Sequence, residues 1–169
     1  AVWALAARLK HRLAFYAFFC MIAALALYGI RDMFGIVVLV WVIGVVIASD
    51  VMGYFAGRVF GGPKFWPKVS PKKTWSGTVA GWVGAALLGW VLNAKLVAGG
   101  LDLPISLVLF SVILAFAAQI GDIVESALKR KAGIKDSSSL IPGHGGVLDR
   151  FDGMIGAALV FFPVLFVAG

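Results

Sequence analysis

Five long apolar runs separated by short charged segments constrain this chain more than any other feature: 13–30, 36–55, 78–97, 103–121 and 154–168. Crossing roughly 30 Å of hydrocarbon takes about 20 residues of helix, and most of the runs are near that length. With 62% hydrophobic and only 14% charged residues, the 169-residue chain carries more apolar surface than a water-soluble core of its size can bury. Backbone N–H and C=O groups cannot stay unpaired in lipid, so the runs are expected to be helices. The expected fold is all-α: a polytopic transmembrane helical bundle of about five spans, forming one integral-membrane domain over residues 1–169. Gly81, Gly84, Ala85, Ala86 and Gly89, with Ala115, Ala117 and Ala118, would let helix backbones approach closely.

Positive charge sets the expected orientation. Arg8, Lys10 and Arg12 precede the first run. Arg58, Lys64, Lys68, Lys72 and Lys73 separate the second from the third, and Lys129, Arg130, Lys131, Lys135 and Arg150 separate the fourth from the fifth. Only Arg31 and Lys95 lie in the alternate loops. Lys and Arg in short loops stay on the cytoplasmic side, so both long polar segments are expected to be cytoplasmic loops. The net charge of +7 then reports membrane orientation and anionic ligands, with no nucleic acid implied. The single cysteine, Cys20, excludes a disulfide framework and a thiolate cluster, and reads as a small buried apolar residue. The chain has no initiator Met and no signal-like start, and is expected to be an N-terminally truncated part of a longer protein. It shows neither a repeat nor a low-complexity tract.

Chemistry is concentrated in the two polar segments. In the first, Gly and Pro break the helix before Ser70-Pro-Lys72-Lys73-Thr74-Trp-Ser-Gly77. Two ammonium groups and two hydroxyls just before a new helix suit an anion at a helix N-terminus; an isolated Lys pair there would be a membrane anchor. In the second, Asp122, Glu125, Ser126 and Lys129 recur at helical spacing and share one face. Beyond Arg130, Gly133 and three serines lead to Pro142-Gly-His144-Gly145-Gly146, whose glycines allow backbone N–H groups to approach phosphate oxygens. Asp149 and Asp152 follow, three apart on the next helix. Carboxylates from two helices suit Mg²⁺, which takes few protein oxygens and completes its shell with water and phosphate. The bland reading of Asp149-Arg150-Phe-Asp152 is an interfacial ion-pair cluster. His144 could ligate metal, exchange protons or donate to phosphate; flanking glycines and the lack of a second ligand histidine favour the donor. Asp136 could orient Lys135 or bind metal, and His11 reads as structural.

Taken together, Ser126-x-Leu128-Lys129-Arg130, then Lys135-Asp136-x-Ser138, then Ile141-Pro142-x-His144-Gly145-Gly146-Val147-x-Asp149-Arg150-Phe151-Asp152 resembles the signature of the phosphatidate cytidylyltransferases, or CDP-diacylglycerol synthases. Asp50, Tyr54, Gly57, Arg58 and 70–77 resemble the family's earlier motif, with Val51 and Ser76 departing from it. The resemblance implies a C-terminal fragment of an enzyme of phospholipid biosynthesis. Such an enzyme transfers the cytidylyl group of CTP to phosphatidic acid, releasing pyrophosphate, with Mg²⁺ and by in-line attack on the α-phosphorus.

The same resemblance implies the roles. Asp122, Asp149 and Asp152 would hold Mg²⁺, with Glu125 as a further ligand. Lys129, Arg130, Lys135, Asp136, His144 and Arg150 form the catalytic set. Ser70, Lys72, Lys73, Thr74, Ser126, Gly145 and Gly146 would line the nucleotide site, and Arg58 would meet the lipid phosphate. Implied partners are CTP, phosphatidic acid and membrane lipids, with a homodimer allowed. The rival readings are a CDP-alcohol phosphotransferase, whose DG-x-x-AR opening is absent here, a CTP-dependent lipid kinase, and a non-catalytic membrane transporter.

Overall fold

The computed structural model describes residues 2–101, 103, 105–134 and 148–167, with side chains from residue 14 onward except at 15, 148, 150 and 167. The elements in chain order are α1 (Val2–Val59), β1 (Lys64–Trp66), β2 (Ser70–Thr74), α2 (Trp75–Ala98), α3 (Leu107–Ala132) and α4 (Leu148–Val167). Among the described residues, three helical stretches are long and apolar enough to cross a membrane: Tyr16–Val59, Trp75–Ala98 and Leu107–Ala132. Phe151–Phe166 of α4 is apolar but shorter.

The first two apolar runs both fall in α1, which is broken at Gly35 (φ 82, ψ 177). This backbone region is essentially closed to residues with a Cβ, and here it turns the chain back on itself. Ala23 and Ala26 pack with Ile155 and Ala158, while Gly29 abuts Leu165. Beyond the break, Phe34 and Trp41 meet Phe161 and Val46 meets Gly153. The contacts on α4 thus run outward and then return. A straight helix would carry Val46 about 45 Å from Tyr16, yet both lie against the 153–156 turn of α4.

The helices meet through small residues, as the sequence predicts. A Cβ on Gly81 would lie 2.8 Å from Ser49 Oγ, one on Gly89 would meet Ser111, and one on Gly156 would strike the Ala117 carbonyl. Trp41 is fully buried at the centre. Its indole N–H donates to Ser111 Oγ at 3.2 Å, and its ring neighbours those of Phe110 and Phe161. A buried indole needs such a partner.

The all-helical expectation requires one correction. Lys64–Trp66 and Ser70–Thr74 form a small antiparallel hairpin, with Lys64 opposite Thr74 and Trp66 opposite Ser70 across an irregular register. It is pinned to α2 by the Trp75 N–H on Pro63 O at 3.0 Å, by Ser76 Oγ on Gly61 O at 2.5 Å, and by the Phe65–Trp75 ring pair at 4.6 Å.

Candidate active site

α3 continues past its apolar stretch to Ala132 and stops where Gly133 adopts a left-handed conformation (φ 72). The N–H groups of Gly133 and Ile134 close the end on the carbonyls of Arg130 and Lys129. The extra turns carry the predicted polar face intact. Asp122 accepts from Ser126 Oγ at 3.2 Å and pairs with Lys73 of β2 at 2.5 Å. Lys129 donates to Asp149 of α4 at 2.6 Å and stands 3.6 Å from Glu125. Asp149 occupies the first turn of α4, where exposed backbone N–H groups favour an anion, and Asp152 Oδ1 accepts the Gly153 N–H at 2.7 Å.

This end of the bundle therefore gathers Asp122, Glu125, Asp149 and Asp152 around Lys73 and Lys129, with Asp50 of α1 within electrostatic reach of Lys73 and Asp122. Glu125 is the extreme case: it is 2% exposed, and neither of its oxygens has a hydrogen-bond partner. Asp149 and Asp152 lie beside it, and Asp122 lies within electrostatic reach of Asp152. A buried carboxylate without a hydrogen-bond donor is costly, and hard oxygens with surplus negative charge fit a divalent cation. Among the described residues no group of three or more acidic, His or Cys side chains is gathered as a ready cage. Lys73 and Lys129 already occupy Asp122 and Asp149. Mg²⁺ commonly takes only one or two carboxylates and substrate phosphate, so a pair drawn from Glu125, Asp149, Asp152 and Asp122 suffices in principle.

Beside this group a cleft of about 330 Å³ opens between α1, β2 and α2, lined among others by Asp50, Tyr54, Arg58, Lys72, Lys73 and Thr74. Tyr54 accepts a hydrogen bond from Arg58 at 3.0 Å, one turn along α1. The close approach of α1 and α2 here rests on Gly53, Gly57 and Gly77: a Cβ on Gly53 would lie 3.1 Å from the Gly77 carbonyl, and one on Gly57 would strike Thr74 Oγ1. Thr74 caps α2, its Oγ1 accepting the Gly77 N–H at 3.2 Å and sharing a hydrogen with Ser76 Oγ at 3.1 Å. That hydroxyl is thus committed to the helix end. Ser70 lies in the ladder opposite Trp66 and is not among the residues lining the cleft.

A residue that sequence reasoning passed over holds the cleft to the carboxylates. Gln119 of α3 accepts from Trp82 Nε1 at 3.0 Å and donates to Ser49 Oγ at 3.3 Å and Thr78 O at 3.2 Å. Its own carbonyl lies 3.5 Å from Lys73 Nζ. The side-chain amide joins three helical segments, and the backbone carbonyl of the same residue meets the lysine that reaches Asp122. The available signal was an amide within an apolar run, where only cross-helix hydrogen bonds could satisfy it.

The structure brings together two sets of the predicted residues. Asp122, Glu125, Ser126, Lys129, Asp149 and Asp152 form one, and Arg58, Lys72, Lys73 and Thr74 the other, with Lys73 joining them. Arg130 is exposed in the last turn of α3, outside both. Lys135, Asp136, His144, Gly145 and Gly146 lie outside the described residues, as does the side chain of Arg150.

Comparison with known proteins gives a consistent picture. A family model described as "Cytidylyltransferase family" matches residues 3–168. The phosphatidate cytidylyltransferase of Brucella abortus (strain 2308) is 45% identical over 150 residues, covering 88% of this chain and 53% of the relative. The proteins of the same name from Helicobacter pylori (strain ATCC 700392 / 26695) and Bacillus subtilis (strain 168) are 43% and 40% identical, each over 141 residues and 83% of this chain, covering 52% and 49% of their own lengths. The chain spans about half the length of these curated relatives.

Proposed function

The chain belongs to the cytidylyltransferase family, and from that premise we propose that it forms the catalytic part of a phosphatidate cytidylyltransferase. The reaction joins a phosphate oxygen of phosphatidic acid to the α-phosphorus of CTP, breaks the bond from that phosphorus to the β-phosphate bridging oxygen, and releases pyrophosphate and CDP-diacylglycerol. The observation that carries this reading is the convergence of Lys73, Asp122, Glu125, Lys129, Asp149 and Asp152 from three distant segments at one end of the bundle.

Five crossings follow from treating the two legs of α1, then α2, α3 and α4, as separate spans. The positive-inside pattern puts the charged end at the cytoplasmic face of a bacterial inner membrane, where CTP is available.

Two anions must meet, so positioning and charge neutralisation dominate the chemistry. Lys73 and Lys129 hold carboxylates in the absence of substrate; an arriving triphosphate offers both lysines a competing anion. Their transfer to phosphate releases Asp122 and Asp149, which with Glu125 and Asp152 would hold Mg²⁺. When bound there, Mg²⁺ would supply Lewis-acid polarisation of the attacked phosphate and charge relief for the leaving pyrophosphate. Arg58, steered by Tyr54, supplies a cation for the lipid phosphate at the edge of the cleft. A phosphate monoester has its second pKa near 6, so the nucleophile needs no dedicated base. Lys135, Asp136, His144, Gly145, Gly146, Arg130 and Arg150 enter as further phosphate-handling groups on the strength of the signature alone.

The test is transfer of label from α-³²P-CTP into chloroform-soluble lipid by the intact protein in detergent, with and without phosphatidic acid and Mg²⁺, beside its Asp149→Asn variant. Incorporation that needs both additions and is lost in the variant supports the reading. Release of CDP in place of pyrophosphate would instead identify a lipid kinase, and full turnover by Asp149→Asn would remove that residue from the site.

A further inference from the structure

A second cavity lies on the other side of the carboxylates. It has a volume of about 700 Å³, is almost wholly apolar, and runs between the first leg of α1, α3 and α4, with Ile113, Ile120, Val124 and Leu128 along one wall and Tyr16 at its polar end. From Ile113 to Leu128 the wall extends about 22 Å along α3, at about 1.5 Å per residue. That length exceeds the ~15 Å of one leaflet of hydrocarbon.

The upper wall of this groove belongs to the same turns of α3 that carry the charged face. Val124 and Leu128 border the groove, while Glu125 and Lys129, one residue further on, belong to the ionic group. Tyr16 bridges the two environments. Its ring lines the groove, and its hydroxyl is buried without a hydrogen-bond partner within electrostatic reach of Glu125, Asp152 and Asp149. The only other buried side-chain atoms lacking partners among the described residues are the two oxygens of Glu125. The unpartnered hydroxyl thus lies within electrostatic reach of the carboxylates, where the apolar groove meets the charged group. An amphiphile with an anionic head and an extended apolar tail matches that sequence of surfaces: cations at Lys129, a hydroxyl donor at Tyr16, then an uninterrupted hydrocarbon wall.

We propose that this groove holds one acyl chain of the lipid phosphate substrate, with the Tyr16 hydroxyl donating to an oxygen at its head. The proposal rests on the reading of the reaction given above and specifies how the lipid is held. Filling the groove should therefore act on the substrate tail and spare the chemistry.

The experiment compares the intact wild-type protein with Ile120→Trp in detergent, using dioleoyl and dihexanoyl phosphatidic acid. Ile120 lies on the groove wall and is not one of the residues of the ionic group. The expected result is a rise of roughly tenfold or more in KM for the dioleoyl lipid, the worth of about two buried methylenes, with dihexanoyl turnover retained. Tyr16→Phe should raise KM for both lipids alike. Equal effects of Ile120→Trp on the two lipids would overturn the proposal.

A phosphatidic acid carrying a diazirine on one acyl chain, photolysed with the wild-type protein, gives a readout free of folding defects. Labelling of the α3 and α4 peptides around Ile120 and Leu159 is expected, and labelling confined to other segments would overturn the groove, as when protein fills it. A wild-type protein that labels there but transfers nothing from CTP would refute the reaction and leave the lipid groove standing.

Discussion

At the scale of single residues, the site is short of positive charge. Asp50, Asp122, Glu125, Asp149 and Asp152 share Lys73 and Lys129, and Glu125, 3.6 Å from Lys129, accepts no hydrogen bond. Removing a cation from such a group is therefore worse than removing an anion. Lys129→Met should lower stability by about 3 kcal/mol, since it strands buried carboxylates. Asp149→Asn should cost less, because it relieves repulsion as it breaks the pair. Unfolding midpoints of both variants in detergent check the order, and equal losses would contradict it.

Much of this was legible in the sequence. The spacing of Asp122, Glu125, Ser126 and Lys129 gave their shared face, because helical periodicity continued past the apolar run. The partnership of Lys73 with Asp122, 49 positions apart, was not legible. Both residues were expected to serve ligands, and nothing local to either indicates that each serves the other. Gln119 was hidden for a related reason: its value lies entirely in partners supplied by α1 and α2.

At the scale of elements, the apolar runs located the helices because hydrocarbon leaves the backbone few alternatives. The hairpin of β1 and β2 was missed because its strands are three and five residues long, rich in Lys and Pro, and lack apolar alternation. Its pairing is stabilised instead by aromatic and backbone contacts to α2. The reversal within α1 depends on one glycine. No atom outside its immediate neighbours lies within 4 Å of a Cβ built on Gly35, so substitution there meets a conformational cost and no collision. Gly35→Ala should thus destabilise by about 1–3 kcal/mol, while turnover per folded molecule stays near wild type, Gly35 being at the end of the legs remote from the charged group. A detergent melt combined with an active-fraction measurement checks both halves of that expectation.

At the scale of the whole molecule, the start of the first leg of α1, the end of its second leg, the start of α2, the end of α3 and the start of α4 all lie on the charged side. A thiol introduced there should be reached from the cytoplasm. In a Cys20→Ser background, Lys68→Cys should react with a membrane-impermeant maleimide only after cells are opened, and Ile105→Cys, at the opposite end, should react in intact spheroplasts. The reverse pattern would invert the proposed orientation.

The dispersal of the charged group along the chain also has a consequence in time. Lys73 leaves the ribosome well before Asp122, and Asp149 well after Lys129, so the first ion pair waits for α3 and the second for α4. Until α4 enters the membrane, Glu125 and Lys129 stand at the end of an inserted helix without their third partner. Nascent chains halted before α4 should consequently be substrates for membrane quality-control proteolysis, and arrival of the Asp149 turn marks the moment at which the biosynthetic intermediate becomes worth keeping.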